Sequence, residues 1–320
     1  MHCAGFRAMP ARVRDKGAWL VAAGLIGAIE AGGTKFVLAL ARADGTVLAE
    51  TRIATRTPVE CFADLAEFFD QASAAHGPIA AFGVASFGPI DINPASPAYG
   101  TILATSKPGW QGARYHDVLG RFGVPIVVDS DVNGAALGEW RHGAGQGCAT
   151  LAYTTVGTGV GSGVVSQGRS LRGFSHYESG HIAVVRDPSD SFAGHCPFHG
   201  ACLEGMAAGP AIKARWGQSL SELDDPAKTG LIAGYIAQLA VNLILLHMPD
   251  RLVFGGGVMK SRGLIEALRR ETERRLGGYL SAPELDPGLE SYIVAPALGD
   301  AAGITGAIAL AQDFLEQKHG

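Results

Sequence analysis

Four residues have the types and spacing of a metal site. Cys196-Pro-Phe-His199-Gly-Ala-Cys202 offers a thiol, an imidazole and a second thiol in one short run, and His181 precedes it. Two thiolates and two imidazoles suit a closed tetrahedral zinc site, which orders a loop and leaves no position free to activate water. His195 reads as a bystander. A second signal is the acidic end of an apolar run, Val127-Val-Asp129-Ser-Asp131-Val-Asn133. Asp129 or Ser130 suits the N-cap of a following helix. Asp131 is the candidate for chemistry, because a carboxylate there can take the proton of a hydroxyl attacking a phosphoryl group. The third signal is a set of glycine turns: Glu30-Ala-Gly32-Gly33-Thr34-Lys35, Gly157-Thr158-Gly159-Val-Gly161 and Gly255-Gly256-Gly257. Consecutive glycine peptides can aim their N–H groups at an anion with no side chain in the way. The dinucleotide fingerprint fails, since Ser162 stands at its third glycine and the turn leads into a strand. The arrangement fits a nucleotide held between two domains.

Positioning these groups requires alternating strands and helices. Residues 25–40 read as strand, glycine turn, strand, and Asp44-Gly45 turns the chain into a third strand over 46–53. The same grammar recurs at 151–156, 163–166 and 169 onward, which predicts two related α/β domains. Helical spacing marks 61–75, 230–247, 264–276 and 302–315; strands are predicted at 81–86, 125–129 and 251–254. The expected division is an extension over 1–24, an α/β domain over 25–130 completed by helix 302–320, and a larger α/β domain over 131–301 carrying a zinc loop at 181–202. The domains should meet near 131–145 and share a cleft, the usual place for a ligand.

Composition narrows the partners. The 320 residues are 47% hydrophobic and 18% charged, enough to bury a large core, and 26 basic against 30 acidic residues leave a net charge of -4. Such a balance argues against nucleic acid. Five cysteines, an odd number in a long chain, point to a reduced, cytoplasmic setting. Arg7, Arg12, Arg14 and Lys16 ahead of the apolar stretch 19–29 resemble a secretory leader, but that stretch runs straight into the first glycine turn and reads as a core strand. The apolar stretch 232–248 contains Gln238, Asn242 and His247 and ends at Pro249, so it reads as a buried helix and not as a membrane span.

These stretches, in this order over residues 26–312, resemble the ROK sugar kinases (repressor, open reading frame, kinase) of the actin-like and hexokinase-like ATPase superfamily. The family's Asp-x-Gly-Gly-Thr phosphate turn matches Glu30 to Thr34, with Glu in place of Asp. Its Asn-Asp-x-Asn-x-Ala-x-x-Gly-Glu stretch matches Asp131 to Glu139, with Ser130 in place of Asn, a change that argues against glucose. Its Glu-x-Gly-His motif matches Glu178 to His181, and Cys202-Leu-Glu204 and Phe87-Gly88-Pro89-Ile90-Asp91 match further parts of the sugar pocket. The usual zinc motif has three cysteines, whereas His199 supplies the third local ligand here. That variant, with Ala104-Thr-Ser-Lys-Pro-Gly-Trp110 and the Gly209-Pro-Ala-Ile-Lys-Ala-Arg-Trp216 stretch, resembles the bacterial fructokinase branch.

The resemblance implies two actin-like (ribonuclease H-like) α/β domains around a cleft, and transfer of phosphate from ATP to D-fructose with Asp131 as general base. It implies sugar contacts at Gly88, Asn133, Glu178, His181 and Glu204. ATP would lie on Glu30, Gly32, Gly33, Thr34, Lys35, Gly157, Thr158, Gly159, Gly161, Gly256 and Gly257, with Mg²⁺ held through waters near Glu30. Structural Zn²⁺ would sit on His181, Cys196, His199 and Cys202, and the protein would be a homodimer. Alternatives are a mannokinase, glucokinase or N-acetylhexosamine kinase of the same family, and a non-catalytic sugar sensor; a repressor would need a DNA-binding unit for which the residues before Ile26 are too few.

Overall fold

The computed structural model describes residues 24–105, 107–285 and 287–319. Strands β1 (Leu25–Ala31), β2 (Lys35–Arg42) and β3 (Val47–Ala54) form the predicted meander. β1 and β2 are buried along almost their whole length, because helices cover both faces of the sheet. Helix α1 (Pro58–His76) opens with a reciprocal cap between Thr57 and Glu60 and a proline in its first turn; Cys61, Leu65, Phe69 and Ala72 form its buried stripe. β4 (Ile79–Ser86), the short α2 (Tyr115–Leu119) and β5 (Ile126–Ser130) complete a sheet of order β3-β2-β1-β4-β5, with β4 and β5 parallel to β1.

Helix α3 (Asp131–His142) then leads to β6 (Thr150–Val156), β7 (Val160–Ser166) and β8 (Arg169–Ser170). β8 is two residues long, shorter than its counterpart β3, and beyond it the chain runs into the turn at Gly173. Helices α4 (Leu203–Ala207), α5 (Gly209–Trp216), α6 (Leu220–Leu223) and α7 (Pro226–His247) precede β9 (Arg251–Gly255). α8 (Leu264–Leu276), β10 (Ile293–Val294) and α9 (Ala302–His319) finish the chain. The second sheet has order β10-β9-β6-β7-β8 with β9 and β10 parallel to the rest of its centre, so it repeats the first sheet position by position. The two-residue β10 went unpredicted because it is too short to show an alternation. α7 has the length and hydropathy of a membrane span, but Ile232, Tyr235, Ile236, Leu239, Leu243 and Ile244 are buried in the core beneath the second sheet. The predicted extension over 1–24 lies almost wholly outside the described residues.

Between the two sheets lie α3 and α9. One side of α9 (Ile304, Ala307, Ile308, Ala311) packs on Ile26, Ala28, Val37 and Ala39 of the first sheet, while Ala302 and Ala309 join Ala135, Ala136, Leu151, Tyr153 and Val253 on the second. The two helices cross backbone to backbone. A Cβ at Gly306 would lie 1.7 Å from the Gly134 carbonyl oxygen, and one at Gly138 would lie 2.4 Å from that of Ala302. Glu139, fully buried, fixes the far end of α3: its carboxylate accepts N–H bonds from Ala144 (2.7 Å), Ala297 (3.1 Å) and Leu298 (2.8 Å), and Arg141 pairs with Asp313 of α9.

Candidate active site

The β1–β2 connection is a turn built on its glycines and tied at its base. Gly32 N–H donates to the Lys35 carbonyl at 2.9 Å, and the Thr55 hydroxyl donates to the Gly32 carbonyl at 2.8 Å. The equivalent β6–β7 connection, Gly157 to Gly161, is closed by Gly157 N–H on the Gly159 carbonyl and held from outside by Gly209 N–H on the Gly157 carbonyl. After β9, Gly256 takes a left-handed φ of +94°, and a Cβ there would sit 2.4 Å from the Val156 carbonyl oxygen, so only glycine lets this third turn close over the second.

Asp131 sits where the first and second sheets are joined. Ser130 is the N-cap of α3, its hydroxyl accepting from Asn133 N–H at 3.2 Å, which puts Asp131 in the first helical turn and not at the strand end. The Asp131 carboxylate accepts from Val132 N–H at 2.9 Å. Burial pushes its pKa up, while the helix amide and His176 pull it down. Glu30 is pushed up to about 7, chiefly by burial, and its Oε2 is buried with no partner. The longer side chain in place of Asp has room because residue 303 is glycine: a Cβ there would lie 2.4 Å from the Glu30 carboxyl carbon.

On the opposite wall, a single helical turn (Ser179–His181) presents Glu178 and His181. His181 uses both nitrogens. Nδ1 lies 3.7 Å from Cys196 Sγ and 3.6 Å from Cys202 Sγ, and Nε2 lies 4.0 Å from Glu204 Oε1. Cys196 Sγ is also 3.8 Å from His199 Nδ1, and the four donor atoms all lie within 4.8 Å of one another. A tetrahedral zinc with bonds of about 2.0–2.3 Å has edges of roughly 3.3–3.8 Å, so the donor set fits that ion. Burial pushes the Cys202 thiol up to about 11, and a bound cation would be needed to ionise it near neutrality. Glu204 reaches the other way as well, its Oε2 accepting Val160 N–H at 3.0 Å, and so joins the cysteine loop to the second phosphate turn.

One cavity of about 1100 Å³ gathers these groups. Glu30, Gly32, Gly33, Thr34 and Lys35 line it with Gly88, Asp131, Gly157, Thr158, Gly159 and Gly161. Glu178, His181, His199, Glu204, Gly256 and Gly257 also reach it, while Cys196 and Cys202 lie behind His181 and His199. Asn133 does not line it: the residue is fully buried, and its side chain donates to Asp129 at 2.7 Å beneath Asp131. Asn133 thus braces the strand end, set back from the other residues for which the resemblance implies a sugar contact. Among the lining residues that escaped sequence reasoning, two bond across the cavity walls. His176 is buried between walls, its Nε2 accepting Ile90 N–H at 3.2 Å and its Nδ1 lying 3.5 Å from Glu178; the spacing His-x-Glu-x-x-His was the available signal. Lys107 reaches from the loop before Trp110 and donates to the Gly33 carbonyl.

The ROK family model matches residues 26–314. The chain belongs to the ROK family. Among this ROK protein's relatives, a protein named putative fructokinase from Bacillus subtilis (strain 168) is 41% identical over 92% of this chain and 97% of its own. A fructokinase from Zymomonas mobilis is 43% identical over 90% of this chain and 96% of its own. A ROK hexokinase from Thermus thermophilus superposes with a TM-score of 0.73 at 29% identity, covering 92% of this chain and all of that one. A ROK family glucokinase from Streptomyces griseus, solved in complex with glucose and AMPPNP, gives 0.67 at 26% identity over 91% of this chain and all of that one. The actin-like fold that the resemblance implies is thus the fold of this ROK chain, and the repeated meanders are parts of its two five-stranded sheets.

Proposed function

We propose that this ROK protein is an ATP-dependent fructokinase, converting D-fructose and ATP to fructose 6-phosphate and ADP. The observation that carries the reading is the meeting of two glycine turns and a half-buried aspartate in one cavity, in a chain 37–43% identical to fructokinases over most of its length. ATP phosphates lie on Gly32 to Thr34 and on Gly157 to Gly161, with the nucleoside toward Gly256 and Gly257. The sugar lies against Gly88, Glu178, His181 and Glu204. Asp131 accepts the proton of the primary hydroxyl as that oxygen bonds to the γ-phosphorus and the bond to the β-phosphate oxygen breaks. Closure of the two halves about α3 and α9 excludes water, which would otherwise compete for the phosphoryl group.

Glu30, with its unpartnered buried oxygen, is the residue that would hold Mg²⁺ through waters, and the ion would neutralise phosphate charge. His181, Cys196, His199 and Cys202 would hold zinc, whose contribution is to keep the sugar wall ordered. A cytoplasmic homodimer is part of the same reading, supported by family membership and by the exposed apolar residues Leu246 and Met248 at the end of α7.

The test is an ADP-release assay with Mg-ATP and fructose, mannose, glucose, N-acetylglucosamine or N-acetylmannosamine at equal concentration. Preference for fructose is expected. Turnover of another hexose alone would replace the substrate and keep the class; no turnover with any sugar would overturn the kinase reading.

A further inference from the structure

Lys107 belongs to a segment, Ala104 to Trp110, for which neither the phosphate turns nor the sugar wall gives a use. The loop is anchored from below: Trp110 is 2% exposed, its ring packs against Phe36 (5.5 Å between centroids), Phe62 (5.8 Å) and Phe87 (5.1 Å), and its Nε1 donates to the Arg56 carbonyl at 2.9 Å. From that anchor Lys107 extends over the face of Phe87, 5.2 Å from the ring centroid, and its Nζ donates to the carbonyl of Gly33 in the first phosphate turn. The ammonium therefore stands on the wall of the cavity that carries both the turn and Asp131.

Three lysines line this cavity among the described residues, and their places differ. Lys213, on α5, lies at the end with Ser219, Leu220 and Ser221; Lys35 follows the first turn and acts on Glu30 and Asp300. Lys107 bonds to the Gly33 carbonyl of the first turn, and the Asp131 carboxylate favours its charged form. Lys107, the first turn and Asp131 thus line one cavity, with the lysine bonded to the turn itself.

We propose that Lys107 is a catalytic residue of the phosphoryl transfer: its ammonium leaves or shares the Gly33 carbonyl and neutralises the charge on the equatorial oxygens of the γ-phosphoryl group in flight. It takes no proton in the step. The sugar oxygen forms the new bond to phosphorus, its proton goes to Asp131, and the electron pair of the broken bond leaves with the β-phosphate oxygen of ADP. Such a cation stabilises charge that develops in the transition state, so its removal lowers kcat more than it weakens substrate binding. Burial lowers the affinity of Lys107 for its proton and Asp131 opposes that shift, so the half-buried ammonium has already lost part of its hydration before phosphate arrives. The inference rests on the kinase reading.

The test compares wild type with Lys107→Met and Lys107→Arg in the full-length enzyme, measuring kcat and KM for fructose and the affinity for ADP with aluminium fluoride and fructose, a mimic of the transferring phosphoryl group. Lys107→Met should lose about 10²–10³-fold in kcat with KM for fructose nearly unchanged, should bind ADP–aluminium fluoride no more tightly than ADP alone, and should melt near the wild-type temperature. Lys107→Arg, which keeps the charge, should recover part of the rate. Full kcat in Lys107→Met, or a loss confined to KM, or equal tightening by aluminium fluoride in both proteins, would overturn the role of Lys107. An inactive wild type would instead overturn the kinase reading and this inference with it.

Discussion

At the scale of single residues, Asp131 opens α3 in the cavity that the two glycine turns line, and His181 faces both the cysteines and Glu204. Glycine turns, the Asp131 stretch and the Cys-x₂-His-x₂-Cys cluster are local signals, because each function needs neighbours in the chain. Lys107 and His176 are different. Each reaches a residue remote in sequence, Gly33 in one case and Ile90 in the other; the His-x-Glu-x-x-His spacing marks His176 but does not encode that reach, and Lys107 has no comparable mark. Asn133 is placed differently from the other motif residues, because its side chain donates inward to Asp129 and lies outside the cavity lining. The four-residue metal cluster gives a residue-scale prediction. Two thiols and two imidazoles this close, with Cys202 pushed up to about 11, are poorly placed without a cation. Cys202→Ser should therefore lose one equivalent of zinc by elemental analysis, lower Tm, and weaken fructose binding, since Glu178, His181 and Glu204 sit on the loop it closes. Unchanged zinc content and Tm would contradict the assignment.

At the scale of elements, the meanders and amphipathic helices were legible because their periods are strong: α8 was predicted over its observed length, Leu264–Leu276, and α1 is a few residues longer at its capped start. β10 and the brevity of β8 were not legible, since two-residue pairings depend on a neighbouring strand and not on their own pattern. The crossing of α3 and α9 was also hidden, although its glycines are plain in the sequence. Gly138 and Gly306 have meaning only when the helices are set against each other, where there is no room for a methyl group, while a Cβ at Gly134 would meet Ala85 of β4 at 2.5 Å. Gly306→Ala should force the helices apart at a cost of about 3 kcal/mol, seen as a fall of several degrees in Tm. A Tm equal to wild type would show that the crossing adapts and is not a fixed axis.

At the scale of the molecule, two copies of one sheet face each other across α3 and α9, and each contributes a glycine turn to a shared cavity. Asp131 begins the helix that joins them, so the group proposed to take the proton is positioned by the same element that connects the halves. Glu204 and Lys107 extend this logic, the first bonding to the second phosphate turn and the second to the first. The account's central claim is that Asp131 is the base of a phosphoryl transfer carried out in that cavity. The most direct measurement is single-turnover transfer from γ-labelled Mg-ATP to fructose by wild type and Asp131→Asn, with fructose binding followed by calorimetry. Asparagine keeps the shape and removes the base, so the transfer rate should fall by about 10²–10⁴-fold while fructose affinity is largely retained. Transfer at the wild-type rate by Asp131→Asn would contradict the account.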